Sequence, residues 1–245
     1  MAVLKRLPIY TLASVLLLCG APTAKAQSEA DFIAAFAGEW RIYDPSFGAE
    51  GGQCALLLKK DKKDASYTLD KANCGGELAQ TMAWGIADSQ LALFDGAGKV
   101  LARMGGNQRR MTGTTASGKP VVFDRFGIKG PAQDLLAAAK AGGCAYLGFT
   151  KQCATDADLA PPAAAPDGEA KVKVIVNLNV RTEARDDATI VGVVPQDACV
   201  AVDNCLTAAD GVWCQAQFED KHAWLRKLAL RKDKWAIVTF VNKCD

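Results

Sequence analysis

The sequence lacks the side chains from which most catalytic and metal sites are built. His222 is its only histidine, and no two of its nine cysteines are separated by just two residues. Zinc sites usually need closely spaced cysteines and histidines, so no metal ion is expected. The sequence has neither a nucleophile-elbow motif nor a glycine-rich phosphate-binding loop. It therefore predicts a protein that is not an enzyme and that uses no cofactor.

Long apolar runs are also missing, except for one near the start of the chain. Residues 7–18 form an apolar run that is too short to cross a bilayer as a helix. The basic residues Lys5 and Arg6 precede it, and Ala24 and Ala26 form a small-x-small cleavage site. Residues 1–26 are therefore predicted to be a secretory signal peptide. We expect a periplasmic or secreted protein without a transmembrane segment.

Cys19 leaves an alternative to cleavage after Ala26, namely a lipoprotein signal. A lipidated cysteine normally follows a small residue, whereas Leu18 precedes this one. A lipid chain would hold the protein at a membrane, and cleavage after Ala26 would release it. Lipoprotein anchoring is the less favoured of the two alternatives.

A strong excess of one charge sign is absent as well. The chain carries 29 basic and 27 acidic residues, and three of the basic ones (Lys5, Arg6 and Lys25) belong to the predicted signal peptide. Without them the acidic residues outnumber the basic ones by one. No nucleic-acid partner is therefore expected, because such partners require a positive surface.

A stretch rich in proline and alanine, residues 160–168, divides the chain into two parts with short β-strand patterns. We expect an all-β fold with a β-barrel domain over residues 27–128 and a second β domain over residues 171–245. Residues 129–170 are predicted to be a helical segment, over 131–141, followed by a linker. A second short helix is expected over residues 29–36, where Phe32, Ile33 and Phe36 fall at helical spacing.

The strand pattern of the first part predicts an eight-stranded up-and-down antiparallel barrel. Its runs are separated by turn-forming residues and cover 39–43, 54–58, 66–69, 80–84, 91–94, 100–104, 109–114 and 121–124. Closing such a sheet on itself removes its edges. The second part has runs at 172–176, 190–194, 199–202, 212–218 and 235–241, which favour a small, strongly bent barrel.

The first part resembles a known family of inhibitors. The stretch Ala37-Gly38-Glu39-Trp40, the cysteines Cys54 and Cys74, the pair Ala83-Trp84 and the hairpin at 91–98 occur in the order seen in Inh/AprI-type inhibitors of secreted bacterial metalloproteases. The resemblance covers about residues 29–126. Trp40 and Trp84 are interpreted as filling the barrel rather than contacting a ligand.

The resemblance implies how such a barrel would act. In this family the barrel docks on the protease while the chain end enters the cleft near the catalytic zinc. The matching inhibitory segment here is Gln27, Ser28, Glu29, Ala30 and Asp31. Five extended residues reach about 17 Å, and a terminal amine or a carboxylate would compete with water for the metal. A frayed terminus with no role is the alternative, since Gln27 can cyclise and a helix from Glu29 would shorten the reach.

The second part resembles a bacterial SH3-like domain over about residues 172–231. The resemblance is carried by the stretch 178–182, by 190–194, by Gly211-Val212-Trp213-Cys214 and by Ala223-Trp224-Leu225. Two departures from the pattern are Glu183-Ala184, where Gly-Pro is common, and Ala223 in place of glycine. The resemblance implies binding of peptidoglycan or of an envelope protein. Trp213 and Trp224 are candidates for a ligand groove, and core packing is the alternative for both.

Eight cysteines remain without Cys19, and an even number in an exported chain predicts disulfides. The candidate pairs are Cys54 with Cys74, Cys144 with Cys153, Cys205 with Cys214 and Cys199 with Cys244; the sequence leaves other pairings open. A cluster of basic residues near the end of the chain predicts a solvated face or a surface for an anionic partner. It consists of Lys221, Arg226, Lys227, Arg231, Lys232 and Lys234.

The leading hypothesis is an exported inhibitor of serralysin-type zinc metalloproteases that acts through its N-terminal segment. The second hypothesis is a cell-envelope adaptor that binds peptidoglycan or a protein through its SH3-like domain. The third is a carrier that holds a small ligand inside the barrel. A barrel filled by Trp40, Trp84 and other apolar side chains would exclude the third.

Overall fold

The computed structural model describes residues 28–163, 168–219 and 221–244. The predicted signal peptide, Cys19 and Gln27 therefore lie outside the described residues. Within the described ranges, no helix has both the length and the apolar character needed to cross a membrane.

The first half of the chain forms the predicted closed antiparallel barrel. Its strands follow one another around the barrel in sequence order, and β8 pairs with β1 to close it. The strands are β1 Gly38–Ile42, β2 Cys54–Lys63, β3 Ser66–Ala72, β4 Ala83–Ala87, β5 Gln90–Phe94, β6 Val100–Gly106, β7 Arg110–Thr115 and β8 Pro120–Arg125. The up-and-down barrel and all eight of its strands are confirmed, with the largest difference at β2, which is longer than predicted.

One end of the barrel is covered by α1, which spans Glu29–Phe36 and leads directly into β1. Ile33 of α1 is buried in the barrel core. We call this end of the barrel the helix end. The opposite end carries short 3-10 turns at Pro45–Phe47, Ala49–Gly51 and Gly76–Gln80. The Cys54–Cys74 disulfide ties the start of β2 to the loop after β3 at that opposite end.

The second half of the chain contains two sheets. The larger has the strand order β12-β11-β15-β14-β13-β10-β18 and the smaller has the order β16-β17-β9. Their strands are β9 Tyr146–Leu147, β10 Ala170–Val174, β11 Leu178–Arg181, β12 Ile190–Val194, β13 Cys199–Ala208, β14 Gly211–Phe218, β15 Lys221–Arg226, β16 Leu228–Arg231, β17 Trp235–Val238 and β18 Phe240–Val241. The sequence patterns did not predict β9, β11, β15 and β16. The SH3-like character of this half stays a prediction.

The segment between the two halves packs against the C-terminal strands. Helix α2, Pro131–Gly142, places Leu135 and Ala138 against Ala236 of β17. Strand β9 pairs in parallel with β17, and a short helix α3 covers Asp156–Leu159. The predicted helix over 131–141 is therefore confirmed within one residue. The domain boundaries remain a proposal, although α2 and β9 belong structurally with the second half.

All four candidate disulfides are formed. They join Cys54 to Cys74, Cys144 to Cys153, Cys199 to Cys244 and Cys205 to Cys214. Three of these bridges lie in the C-terminal half and stabilise it. Four intact disulfides are consistent with an extracytoplasmic protein, because thiols in the cytoplasm are kept reduced.

Candidate functional site

The chain enters the barrel through a capped helix at the helix end. Ser28 precedes α1 in an extended conformation, and its Oγ accepts a hydrogen bond from the backbone N–H of Asp31 at 3.1 Å. The same Oγ donates to the Asp31 carboxylate at 2.7 Å. Glu29 and Asp31 also place negative charge in the first turn, where its interaction with the helix dipole stabilises the helix. Ser28 therefore fixes the residue at which the helix begins.

Glu29 ties the first turn of α1 to the β2–β3 hairpin. Its Oε1 accepts hydrogen bonds from Lys62 Nζ at 2.9 Å and from the Tyr67 hydroxyl at 2.8 Å. The hydrogen bond from Lys62, together with that from Tyr67, lowers the pKa of Glu29. Hydrogen bonding to Glu29 raises the pKa of Lys62 and of Tyr67. The three side chains are exposed enough that their main effect is to orient the helix.

Arg125 holds the other end of α1. Its guanidinium donates to the carbonyls of Ala35 at 2.7 Å and Ala37 at 2.6 Å, and lies over the Trp40 ring at 4.6 Å. These carbonyls have no partner within the helix, so the arginine satisfies them. Gly38 has a φ of +129°, and a Cβ at this position would come within 2.6 Å of Arg125 Nη1. Only glycine leaves room for the guanidinium there.

Most of the predicted inhibitory segment is helical rather than extended. Ser28 caps α1, and Glu29, Ala30 and Asp31 form its first turn, because side-chain capping and the Glu29 contacts favour the helix. The expected reach of five extended residues is therefore wrong for this structure. Only the chain before Ser28 is left to extend, and Gln27 lies outside the described residues.

Next to the helix end lies a groove with exposed apolar side chains. Phe126 directly follows β8 and keeps 54% of its surface exposed, although Arg41 lies 4.6 Å from the centre of its ring. Ile128 and Leu136 of the same groove are also exposed. The groove encloses about 280 Å³ between the end of β8 and helix α2. Helix α1 and this apolar surface thus lie at the same end of the barrel.

The barrel has no free lumen for a small ligand. Trp40 and Trp84 are completely buried, and Leu56, Leu93 and Phe123 pack with them in the barrel core. The indole N–H of Trp40 donates to the Phe36 carbonyl, and that of Trp84 donates to the Lys59 and Thr68 carbonyls. Both tryptophans therefore fill the scaffold, and the small-ligand carrier hypothesis is excluded.

The two halves of the chain meet at a buried ionic cluster that the sequence patterns did not reveal. Arg110 of β7 donates to Asp124 at 2.5 Å, to Asp210 at 2.6 Å and to the Ala184 carbonyl at 3.0 Å. Asp124 in turn accepts from the backbone N–H of Ala209 at 2.8 Å. Because Arg110 and Asp210 are 100 positions apart, neither sequence spacing nor composition pointed to the pair.

Asp210 is the most buried member of this cluster, with 1% of its side chain exposed. Burial alone would raise its pKa, but Arg110 and Arg226 outweigh this and the pKa of Asp210 is lowered. Arg226 Nη2 lies 3.0 Å from Asp210 Oδ2, at an angle that does not make a hydrogen bond. Asp210 therefore stays ionised and acts as the shared partner of cations from both halves.

Trp213 cannot line an open ligand groove, so that part of the prediction is wrong. Its ring is completely buried between the halves of the chain, and its indole N–H donates to Asp210 at 3.1 Å. Trp224 is only half-buried and lines a cleft between the barrel and the C-terminal half, together with Gln215 and Thr112. A ligand role for Trp224 remains a proposal.

The basic cluster near the end of the chain does not form a single exposed face. Arg226 pairs with Asp210. Lys227 is fully buried, and its ammonium donates to the Ala160 carbonyl and to Asn242. Burial lowers the pKa of Lys227 to about 8. Lys232 and Lys234 are exposed, as the prediction expected for the whole set.

Metal ligands are not assembled in the part of the chain that the structure describes. No group of three or more histidine, cysteine, aspartate or glutamate side chains there is arranged to hold a metal ion. All eight cysteines outside the predicted signal peptide are used in disulfides.

Comparison with known proteins bears on the barrel alone. Residues 33–125 match the family model described as "Protease inhibitor Inh". This range begins within α1 and ends at the last residue of β8, so it covers the barrel and excludes Ser28, Glu29, Ala30 and Asp31. A domain of this family is an inhibitor, in agreement with the expectation that the chain is not an enzyme.

The other comparisons add no argument about function. No curated protein matches the chain. A solution structure of lysostaphin shares 13% identity, with 88% of this chain and 99% of that chain covered and a TM-score of 0.25. A likeness of this size supports neither a fold nor a function for the C-terminal half.

Proposed function

We propose that this protein inhibits a secreted zinc metalloprotease of the serralysin type by docking the helix end of its barrel at the protease active-site cleft. The observation that carries the proposal is the match of residues 33–125 to a protease-inhibitor family, on a barrel whose chain start lies at a firmly anchored end. In the proposed complex the chain before α1 enters the cleft. Its terminal amine then competes with water for the zinc of the protease.

The anchoring of α1 supports this proposal. The Ser28 cap, the Glu29 contacts and the Arg125 contacts fix the direction in which the chain leaves the barrel. A segment held in place before binding loses less conformational entropy on binding than a free one. A short inhibitory segment can then bind tightly with few contacts of its own.

The surface beside the helix end also supports it. Phe126, Ile128 and Leu136 expose apolar area at the helix end, on the side of the barrel where β8 ends. Aromatic and aliphatic side chains of this kind form the centre of many protein interfaces. Burial of this surface against the rim of the protease cleft would add affinity without involving the chain end.

The first turn of α1 and the ionic cluster contact different strands of the barrel. The ionic cluster that holds the C-terminal half contacts β7 and β8 of the barrel, through Arg110 and Asp124. Helix α1 begins instead against Lys62 and Tyr67 of β2 and β3. A protease approaching the first turn of α1 would thus meet a different side of the barrel.

The test is an inhibition titration of a panel of serralysin-type proteases with the mature chain that begins at Gln27. Deletion of residues 27–31 is expected to weaken inhibition by about 10-fold or more, the effect of losing a central interface contact. Lys99→Ala, in the turn between β5 and β6 at the opposite barrel end, is the matched control and should change nothing. The proposal fails if the mature chain inhibits none of these proteases.

A second variant separates the chain end from the helix anchor. Glu29→Gln keeps the whole segment but weakens the contacts with Lys62 and Tyr67. We expect its inhibition to fall much less than that of the deletion. Equal losses in the two variants would assign the effect to helix orientation, and an unchanged deletion variant would remove the chain end from the mechanism.

We propose a separate binding role for the C-terminal half, as the SH3-like resemblance implies. Partners of such a half would be peptidoglycan or an envelope protein. Retention of the mature chain, but not of a chain ending at residue 128, on isolated cell-wall sacculi is the outcome that supports peptidoglycan. Absence of retention argues for a protein partner.

A further inference from the structure

A small disulfide-closed loop in the C-terminal half presents an exposed phenylalanine. Cys144 and Cys153 close the loop, and strand β9 within it pairs with β17. The Gly148 N–H donates to the Val238 carbonyl at 3.0 Å, and the Thr150 hydroxyl donates to the Leu147 carbonyl at 2.7 Å. Phe149, between these two anchored positions, keeps 56% of its surface exposed. The loop therefore holds an exposed aromatic ring at a fixed position on the surface.

Two cavities meet at Phe149 and form one groove, which we call the Phe149 groove. They enclose about 470 and about 290 Å³, and Phe149, Arg231 and Ile237 line both. Trp235 lines the first cavity and Leu178 lines the second. The Phe149 groove thus joins both cavities and has apolar side chains in each of them.

The charges that line the Phe149 groove are all positive. Its basic side chains are Lys151, Arg181, Arg226, Arg231 and Lys232, and no aspartate or glutamate is among the residues that line it. Among the residues that the structure describes, Arg226 is paired with Asp210, and no ion pair is seen for the other four. Cations gathered in a concave surface with apolar walls attract an anionic ligand.

The ring and the cations are arranged together. The Arg231 guanidinium lies over the Phe149 ring at 4.4 Å, and Lys234 Nζ lies 5.0 Å from the Trp235 ring centre. A guanidinium that lies over a ring can still use its N–H groups to bind the two oxygens of a carboxylate. The groove therefore offers carboxylate recognition next to apolar burial.

We propose that the Phe149 groove binds an extended acidic segment of a partner protein, in which carboxylate side chains alternate with apolar ones. The carboxylates would pair with Arg231, Lys232 and Lys151, and the apolar side chains would pack on Phe149 and Ile237. Aliphatic walls favour a peptide over a polysaccharide, because a peptide carries apolar side chains to bury. This site lies outside the family-matched barrel and is independent of protease inhibition.

The test uses the full mature chain and a short labelled synthetic peptide in which aspartate alternates with leucine. We expect saturable binding that weakens as salt rises, and no comparable binding of the same peptide with asparagine for aspartate. The double variant Arg231→Gln/Lys232→Gln should weaken binding by about 10-fold or more. The double variant Lys60→Gln/Lys63→Gln, which removes the same charge from exposed positions on β2, should leave binding unchanged.

Further readouts make the proposal easy to refute. Phe149→Ala should weaken binding by about 3-fold or more while leaving thermal unfolding unchanged, since the ring is exposed. Protease inhibition by the Phe149→Ala and Arg231→Gln/Lys232→Gln variants should equal that of the wild type, because both changes lie outside the barrel. Equal binding of the aspartate and asparagine peptides, no loss in the Arg231 and Lys232 variant, or tighter binding of a polyuronate oligosaccharide than of the peptide would each overturn the proposal.

Discussion

Replacement of Arg110 tests whether the buried ionic cluster joins the two halves of the chain. The Arg110→Met variant keeps an unbranched apolar stem but removes the charge that serves Asp124 and Asp210. The side chain of Arg110 is 10% exposed and that of Asp210 is 1% exposed, so water cannot replace the lost partner fully. The carboxylates of Asp124 and Asp210 are then left in a buried site with less positive charge to balance them.

The expected cost follows from the contacts that remain. Removal of one partner from a buried ion pair costs about 3–5 kcal/mol of unfolding free energy. Asp210 still has Arg226 nearby and accepts from Trp213, and Asp124 still accepts from the Ala209 N–H. We therefore expect a loss near the lower limit, about 3 kcal/mol.

Urea unfolding of the disulfide-intact chain measures this loss, with Arg103→Gln as the matched control. Arg103 pairs with Asp88 at 3.0 Å, but both side chains are largely exposed, so less than about 1 kcal/mol is expected. A loss for Arg110→Met no larger than that of the control would refute the role of the cluster.

The unfolding free energy lost in Arg110→Met should also depend on pH. In the folded protein the pKa of Asp210 is lowered, so the stability that its ionised form contributes is present above the ordinary aspartate pKa. This stability disappears as the pH falls through the lowered pKa. The difference between wild type and Arg110→Met should therefore shrink from pH 7 toward pH 3. A loss that is independent of pH would indicate a packing defect instead.

Three further predictions concern single features of the scaffold. The folded pKa of Lys227, about 8, lies below the unfolded value, so the folded state loses its proton first and the unfolding free energy should rise by about 1–2 kcal/mol between pH 7 and pH 9.5. Lys227→Met should abolish this rise, and urea unfolding at both pH values measures the difference. Replacement of Cys54 and Cys74 by alanine should cost about 3 kcal/mol in chemical denaturation, as expected for a bridge across 20 positions. Gly38→Ala should cost about 1–3 kcal/mol and lower Tm, because its positive φ and the nearby Arg125 guanidinium both oppose a Cβ. An unchanged Tm for Gly38→Ala, or the same pH dependence in Lys227→Met as in the wild type, would contradict the respective contacts.

The barrel was predictable because its signals are local. Alternation of apolar and polar residues, with turn-forming residues between the runs, located all eight strands to within a few positions. The polar end of β2, from Lys59 to Lys63, was missed because exposed strand ends carry no alternation. Strand β15 has buried Ala223 and Leu225 on one face, but its basic residues leave too short an apolar run to predict a strand.

The contacts between distant parts of the chain were not predictable. The run of basic residues predicts a solvated face, which is wrong for Arg226 and Lys227 because their partners, Asp210 and the Ala160 carbonyl, are remote in sequence. Similarly, the role of the Cys144–Cys153 loop depends on the pairing of β9 with β17, which no local pattern specifies. The candidate site was predictable in part. The spacing of apolar residues predicts the helix over 29–36, but no local pattern predicts that Glu29 anchors this helix to Lys62 and Tyr67.

The most direct test of the central claim compares two preparations that differ only at the chain start. One begins at Gln27, and the other carries a few additional residues before it. The first should inhibit a serralysin-type zinc protease at near-stoichiometric concentrations, and the second should be weaker by about 10-fold or more because the amine no longer reaches the metal. Equal inhibition by both preparations, or inhibition by neither, would contradict the claim that the helix end of the barrel delivers the chain start to the protease active site.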